Sequence, residues 1–201
     1  MNRKTIFDAI RAARGRGFDQ MEVGAVDNLL DALGVPRESA HRLDREGADL
    51  IKAFESCRLT AYPDPATGGK PWTIGWGNIT DEAGRPIQPG AAWSQQRADR
   101  RHEQFITGLE AEVNSLLGNA PTSQQQFDAM MSFAYNLGAD IDMDDIAEGL
   151  GDSTLLKKHL RGDFAGAAAE FAKWNRAGGR VMRGLTRRRA AEADLYRRGS
   201  Q

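Results

Sequence analysis

The sequence predicts an α+β fold, mostly helical, with a small strand-and-loop region set into a helical domain. Three observations carry that prediction. Apolar residues recur at helical spacing over most of the chain, as in Leu43, Ala48, Leu50, Ile51 and Phe54. Glycine and proline crowd instead into residues 58–89, where the runs 59–62 and 72–76 read as short strands between tight turns. After Pro89 the helical pattern resumes and holds to the C-terminus.

The elements follow in order. Ile6, Phe7, Ile10 and Ala13 form a first apolar stripe, ended by the Gly-Arg-Gly of residues 15–17. Val23, Val26, Leu29, Leu30 and Leu33 form a second, stopped by Gly34 and Pro36. Together they make an N-terminal helical hairpin extension over residues 1–41. It is too small to hold a core alone, so it is expected either to dock on the rest of the chain or to act as a small adaptor. Residues 42–201 are expected to form the main domain, with its β region at about 58–89 and a helical lobe at about 94–198. Its first helix runs from about Arg42 to Phe54. AYPDPATGGKPW must be loop, because two prolines and two adjacent glycines do not fit a regular element. Ser94 is the N-cap expected for a helix reaching about Leu117. Thr122 and Gln125 stand at capping-box spacing ahead of the helix carrying Phe127, Met130, Met131 and Phe133, which Asn136, Leu137 and Gly138 stop. Leu155, Leu156 and Leu160 open another helix, residues 164–174 continue the pattern, and residues 185–196 close the chain.

Composition removes several function classes. Hydrophobic residues make up 40% and charged residues 27%, with a formal net charge of −1, so nothing global points to nucleic acid or membrane insertion. The charge is uneven, however. From Lys157 onward there are 12 basic against 4 acidic residues, and just before lie Asp140, Asp142, Asp144, Asp145, Glu148 and Asp152. Both groups read first as solvated faces and loops; the alternative is a basic third that meets an anionic polymer such as a bacterial wall. The run at residues 187–189 lacks the aromatic interleaving of a nucleic-acid motif. Cys57 is the only cysteine, so it makes no internal disulfide, and His41, His102 and His159 show no local arrangement that would lower its pKa. No His or Cys pair has metal-ligand spacing, so neither metal nor cofactor is expected. The N-terminus has no apolar run of signal-peptide length and no stretch approaches a membrane span, so the protein is expected in the cytoplasm until something releases it.

Among the carboxylates, Glu55 stands apart. It follows Ile51, Ala53 and Phe54 where helix gives way to strand, and a carboxyl held beside apolar side chains keeps its proton longer, as a general acid requires. Asp64 sits in a Pro-Asp-Pro turn, where exposure favours the ionised form. Two carboxyls in environments that separate their pKa values are what glycoside cleavage uses. By spacing alone the pair is weak, since the chain holds 28 acidic residues.

The wider pattern is more specific. Phe54-Glu55-Ser56, Leu59-Thr60-Ala61-Tyr62-Pro63-Asp64, Gly68-Gly69 and Thr73-Ile74-Gly75-Trp76-Gly77 together resemble the phage-type lysozyme family, the T-even-phage-lysozyme-like glycoside hydrolase family twenty-four. SQQQFDAMMSFAYNLG resembles the family's central helix, and STLLKKHLRGDFAGAAAEFAKWNRAGG with GLTRRRAAEADLY its closing helices. The resemblance spans about residues 42–198 in unbroken order. It departs from the common pattern at Ser56, usually Gly, at Asn78, usually His, and in a longer loop between Asp64 and Thr73.

The resemblance implies a lysozyme-like fold, with a small β lobe and a helical lobe. It implies a muramidase that hydrolyses the β-1,4 bond between N-acetylmuramic acid and N-acetylglucosamine of peptidoglycan, with inversion. Glu55 matches the general acid, Asp64 the second carboxylate, and Thr73 the residue that helps place the attacking water. Asp64 and Thr73 together argue for hydrolysis over lytic transglycosylation, and the carboxyl separation decides between an intervening water and a covalent intermediate. Tyr62, Trp72 and Trp76 either fill the core of a small lobe or stack on a sugar ring. Asn136 either caps its helix or bonds an acetamido group. Arg187 and Arg188 steady the Glu55 region, meet the wall, or lie on a solvated face. The family further implies a monomeric phage or prophage endolysin freed by a holin. The competing reading is a catalytically silent peptidoglycan-binding protein on the same fold.

Overall fold

The computed structural model describes residues 3–18, 20–33, 35, 41–64, 68–141 and 148–200. The stop expected at Gly34 and Pro36, and Asp142, Asp144 and Asp145 of the acidic group, lie outside the described residues. Among those described are eight α-helices and two short two-stranded antiparallel sheets, an α+β arrangement dominated by helix. In chain order they are α1 (Arg3–Arg14), α2 (Gln20–Ala32), α3 (Arg45–Phe54), β1 (Arg58–Pro63), β2 (Trp72–Gly75), α4 (Gln95–Leu117), α5 (Gln124–Leu137), α6 (Thr154–Leu160), α7 (Phe164–Glu170), β3 (Arg176–Ala177), β4 (Arg180–Val181) and α8 (Arg183–Arg198). No helix among the described residues is long and apolar enough to cross a membrane. The chain divides into two compact units. One joins the residues up to Leu50 with those from Leu109 onward, and the other spans Ile51–Gly108.

In the smaller unit, β1 pairs with β2 in the register Tyr62↔Thr73 and Pro63↔Trp72, with an irregularity between Arg58 and Tyr62. A two-stranded ribbon is marginal alone. Here its back is covered by Ile74, Ile87, Trp93 and Ala98, with Cys57, Ala61, Trp72, Trp76 and Ala91 packed around them. The outer edge of β1 is tied down as well: the Ala61 amide donates to Ala91 O at 2.8 Å and the Trp93 amide to Leu59 O at 2.8 Å. Ser94 accepts from the Arg97 amide at 3.2 Å, so α4 starts where its cap predicts.

The larger unit is built around α5, whose residues from Gln126 to Ala134 are all buried. Phe133 packs edge-on against Phe171, which in turn meets Tyr196 of α8, each at 5.6 Å between ring centroids. The capping box of α5 lies one residue later than its spacing suggested. Ser123 Oγ accepts from the Gln126 amide and the Gln126 side chain accepts from the Ser123 amide. Thr122 is engaged elsewhere: its hydroxyl donates to Ala120 O at 2.9 Å and so accepts from His159 Nε2, also at 2.9 Å. The other ring nitrogen of His159 meets Tyr196 OH at 2.5 Å, a chain of bonds that suits neutral imidazole. The N-terminal hairpin belongs to this unit. Phe7 and Phe18 meet edge-on at 5.2 Å, Arg3 pairs with Asp27 at 3.2 Å, and Asn119, just past α4, bonds Asp27. Val23 and Leu30 are buried as the stripe predicts, but Leu29 and Leu33 are exposed.

The basic run at 187–189 needs the plainest correction. Only Arg187 lies on an exposed face. Arg188 and Arg189 are buried with Glu192, whose Oε1 accepts from Ser132 Oγ at 2.8 Å and from Arg188 Nε at 3.1 Å, while its Oε2 lies 3.1 Å from Arg189 Nε. Burial pushes the Glu192 carboxyl up and the Arg189 guanidinium down to about 10, so the arginine keeps its charge at neutral pH. Removing the shared anion would strand two buried cations. Glu192→Ala is expected to cost about 3–5 kcal/mol of unfolding free energy in urea titration, against under about 1 kcal/mol for the exposed Arg197–Asp194 pair.

Candidate active site

Glu55 stands one residue past the end of α3 and three before β1, half-buried. The apolar residues Ile51 and Phe54 precede it as the sequence suggested, yet its enclosure is partial. Asp64 follows β1 directly and is also half-buried, where exposure was expected of a Pro-Asp-Pro turn. The reason is the turn itself: the Asp64 amide donates to Gly69 O at 3.0 Å and its carbonyl accepts from the Gly68 amide at 2.8 Å, closing the loop back onto the strand end. Thr73 lies directly across from Tyr62. Side chains paired across an antiparallel ladder share a face, so Tyr62 and Thr73 lie on one side of the ribbon, and Asp64 is the first residue after β1. Glu55, Tyr62, Asp64, Thr73 and Trp76 all belong to the smaller unit; Asn136 and Arg187 belong to the larger.

The aromatic candidates separate. Tyr62 is half-buried, with the Arg58 guanidinium 4.4 Å from its ring centroid. Trp76 is part of the lobe's packing. Its indole N–H donates to Asp99 Oδ1 at 2.8 Å, its ring lies 5.3 Å from that of His102, and it flanks the Ile74 cluster with Trp72. That bond holds the Asp99 carboxyl below the usual range, and burial pushes the His102 imidazole down. Asp99 and His102 carried no signal as partners in the sequence, since α4 reads there as an ordinary polar helix face. Asn136 does not cap α5. Its Oδ1 accepts from Arg189 Nη2 at 2.7 Å, and the helix ends through the Gly138 amide, which donates to Ala134 O at 2.7 Å. Arg187 is exposed.

Cys57 is half-buried with Gln95 Nε2 at 3.7 Å from its sulfur, and burial pushes its thiol up, the opposite of nucleophile activation. Among the described residues no group of three or more His, Cys, Asp or Glu is placed to hold a metal ion.

Gly75 shows how tightly the turn after Thr73 is built. Its φ is +64°, and a Cβ there would lie 3.2 Å from the Trp93 ring and 3.1 Å from Asn78 Oδ1. Ile74 and Asn78 exchange both backbone hydrogen bonds around it at 2.9 Å. The motif Thr-Ile-Gly-Trp-Gly thus has a backbone reason for its first glycine.

Residues 52–192 match the phage lysozyme family. The chain belongs to that family. It is 36% identical over 157 residues to an endolysin of Bacillus phage B103, a match covering 78% of this chain and 54% of that protein. It is 34% identical over 158 residues to an endolysin of Acyrthosiphon pisum secondary endosymbiont phage 1, covering 77% and 97% respectively. The chain spans 54–60% of the length of the first curated relatives it matches. Among solved structures, an endolysin from Escherichia coli O157:H7 phage FAHEc1 is similar at a TM-score of 0.61 and 34% identity, over 77% of this chain and 92% of that one. The muramidase domain of SpmX from Asticaccaulis excentricus is similar at a TM-score of 0.62 and 31% identity, over 78% and 97%. The α1–α2 hairpin lies outside the matched family segment.

Within this family member, Gly75→Ala is expected to cost about 1–2 kcal/mol from the left-handed backbone alone. Contact with Trp93 adds to that cost. A lowered urea midpoint would register both; an unchanged midpoint would contradict the strain.

Proposed function

We propose that this chain is a lysozyme-type glycoside hydrolase, an endolysin acting on peptidoglycan at the β-1,4 bond between N-acetylmuramic acid and N-acetylglucosamine. The observation that carries the reading is that Glu55 and Asp64 stand before and after β1, while Thr73 stands on its partner strand β2 across from Tyr62. Family membership supports the same residue roles.

In this mechanism Glu55 donates its proton to the glycosidic oxygen as the bond breaks, so the leaving sugar departs as a neutral alcohol. Positive charge develops at the anomeric carbon. The Asp64 carboxylate stabilises that charge and takes a proton from a water attacking the opposite face. Thr73, with one donor and two acceptor positions, holds the water in line. Attack from the opposite face inverts the configuration.

Among the sugar contacts that the resemblance implies, Tyr62 lies on the same ribbon face as Thr73. Trp76 contributes by fixing the lobe through Asp99 rather than by lying open. In a phage setting the enzyme waits in the cytoplasm as a monomer until a holin opens the inner membrane, then reaches the wall.

Glu55→Gln is expected to slow turbidity loss of a peptidoglycan suspension by about 10²–10⁴-fold, the usual contribution of a positioned acid, with an unchanged urea midpoint. A variant that still clears the suspension at the wild-type rate would remove Glu55 from the mechanism. Nuclear magnetic resonance of the first-formed reducing ends would show the α anomer for inversion; the β anomer would mean a covalent intermediate instead.

A further inference from the structure

Helix α3, which leads into Glu55, is anchored at its other end by two carboxyl groups. Asp44 caps it: the Gly47 amide donates to Asp44 Oδ1 at 3.0 Å and the Ala48 amide to Asp44 O at 2.9 Å. Asp128 of α5 faces that cap. Its Oδ1 accepts from the Asp44 amide at 3.2 Å and from Gln124 Nε2 at 2.9 Å. The approach is close. A Cβ on Gly47 would lie 2.7 Å from the Asp128 Cβ, so only glycine fits there.

Asp128 is wholly buried, whereas Asp44 is exposed. Asp128 Oδ2 is buried too, and no donor reaches it. Nor does a cation pair with either carboxyl among the described residues. The charged groups on neighbouring elements are committed elsewhere: Arg42 to Glu110 of α4, Glu46 to Arg198 of α8, and Arg45 to Asp49. Two touching carboxylates, one sealed from water, do not both ionise cheaply; one keeps a proton. The buried member keeps it, because Asp44 retains solvent and the Gly47 amide. The bonding fits this assignment. Oδ1, with two N–H donors, behaves as the carbonyl oxygen, which leaves the rest of the protonated carboxyl to hydrogen-bond the Asp44 side chain.

We propose that Asp128 is a positioning residue: in its protonated form it clamps the first turn of α3 to α5 through Asp44, and thereby holds the helix that leads into Glu55. The helix is ten residues long, about 15 Å, and Glu55 follows its last residue directly. When Asp128 loses its proton to solvent, a hydrogen bond becomes a like-charge contact and the clamp opens. Burial first, and Asp44 beside it, push the Asp128 carboxyl up to about 7, while the Gly47 amide holds Asp44 below its ordinary value. The folded value of Asp128 lies above the unfolded one. Its contribution to stability is therefore complete below the unfolded value of 3.8, shrinks as pH rises, and is gone once pH has passed about 7. His159 works in the other direction. Burial pushes it down to about 3, so its contribution is lost as pH falls from its unfolded value toward that value. That effect is common to every variant below and cancels in their ratios.

The clamp rests on the proposed function only where activity is concerned. The test uses the full chain as wild type, Asp128→Asn and Asp128→Ala, with urea midpoints and peptidoglycan clearing rates followed from about pH 5 to about pH 8. The asparagine amide donates to Asp44 at every pH and cannot ionise. The wild-type midpoint should fall with rising pH relative to Asp128→Asn. Its clearing rate relative to that variant should drop by about tenfold per pH unit beyond the titration. Asp128→Ala should be destabilised throughout, without that step. Wild type and Asp128→Asn running in parallel at every pH would overturn the proposal. So would a carboxyl carbon resonance of wild-type Asp128 that titrates as an ordinary aspartate, a measurement that holds even if a variant fails to fold. A Glu55→Gln variant that stays active would overturn the catalytic reading but leave the midpoint comparison standing.

Discussion

The antiparallel pairing of β1 with β2 sets where the candidate residues stand, because a one-residue slip would turn Thr73 away from Tyr62. Little in the ribbon itself holds that register, since Pro63 has no N–H to give and the ladder is short. It is held from outside. On one side the apolar cluster around Ile74 and Trp93 accepts only the apolar face of the strands. At one end the Asp64–Gly69 bond closes the loop, and at the other Ile74 and Asn78 bond each other twice. The polar candidates on the ribbon are thus placed by apolar and aromatic residues packed behind it. Trp76, bonded to Asp99, belongs to this supporting set.

The larger unit solves a different problem. Helix α5 is buried nearly all round, and a purely apolar helix in that position would have little to fix its rotation. Three polar side chains on it are buried with it, each answered by a different neighbour. Gln126 bonds Ser123 and Ser200, Asp128 accepts from Gln124 and the Asp44 amide, and Ser132 donates to Glu192. Burying polar groups of this kind contributes little net stability, because desolvation offsets most of the attraction. What it adds is discrimination: a rotation or slide of α5 would leave several buried polar groups without partners at once.

How much of this was legible in the sequence follows from the range of each interaction. Helices and strands were readable because their periodicity is local; α4 with its Ser94 cap and the stop at Gly138 are examples. The α5 cap slipped by one because Thr122 with Gln125 and Ser123 with Gln126 have identical spacing. The choice was made by His159, which takes Thr122 and is 37 residues away. Arg188 and Arg189 read as a solvated run because burial of an arginine leaves no mark in composition, although Glu192 at i+4 and i+3 was a visible clue. The β3–β4 ribbon, two residues a strand, is too short for any periodicity to register. Glu55, Asp64 and Thr73 were picked out by the order of a family motif; spacing alone would have left them among many acidic pairs. Asp128 had no signal, since the Asp44 amide it binds is 84 residues distant.

The two carboxyl pairs of this chain stand in contrasting surroundings. At Asp44 and Asp128 the protein itself excludes water from one member, and the resulting separation of the two acids is built in when the chain folds. Glu55 and Asp64 are both half-buried. A general acid works best where water is excluded, and the protein supplies only part of that exclusion here. In the proposed reaction the rest comes from the substrate: a glycan strand laid along the Tyr62–Thr73 face covers the carboxyls as it binds. Rigidity in that proposal comes from behind the ribbon, where Ile74 and Trp93 pack and a Cβ on Gly75 would meet the Trp93 ring.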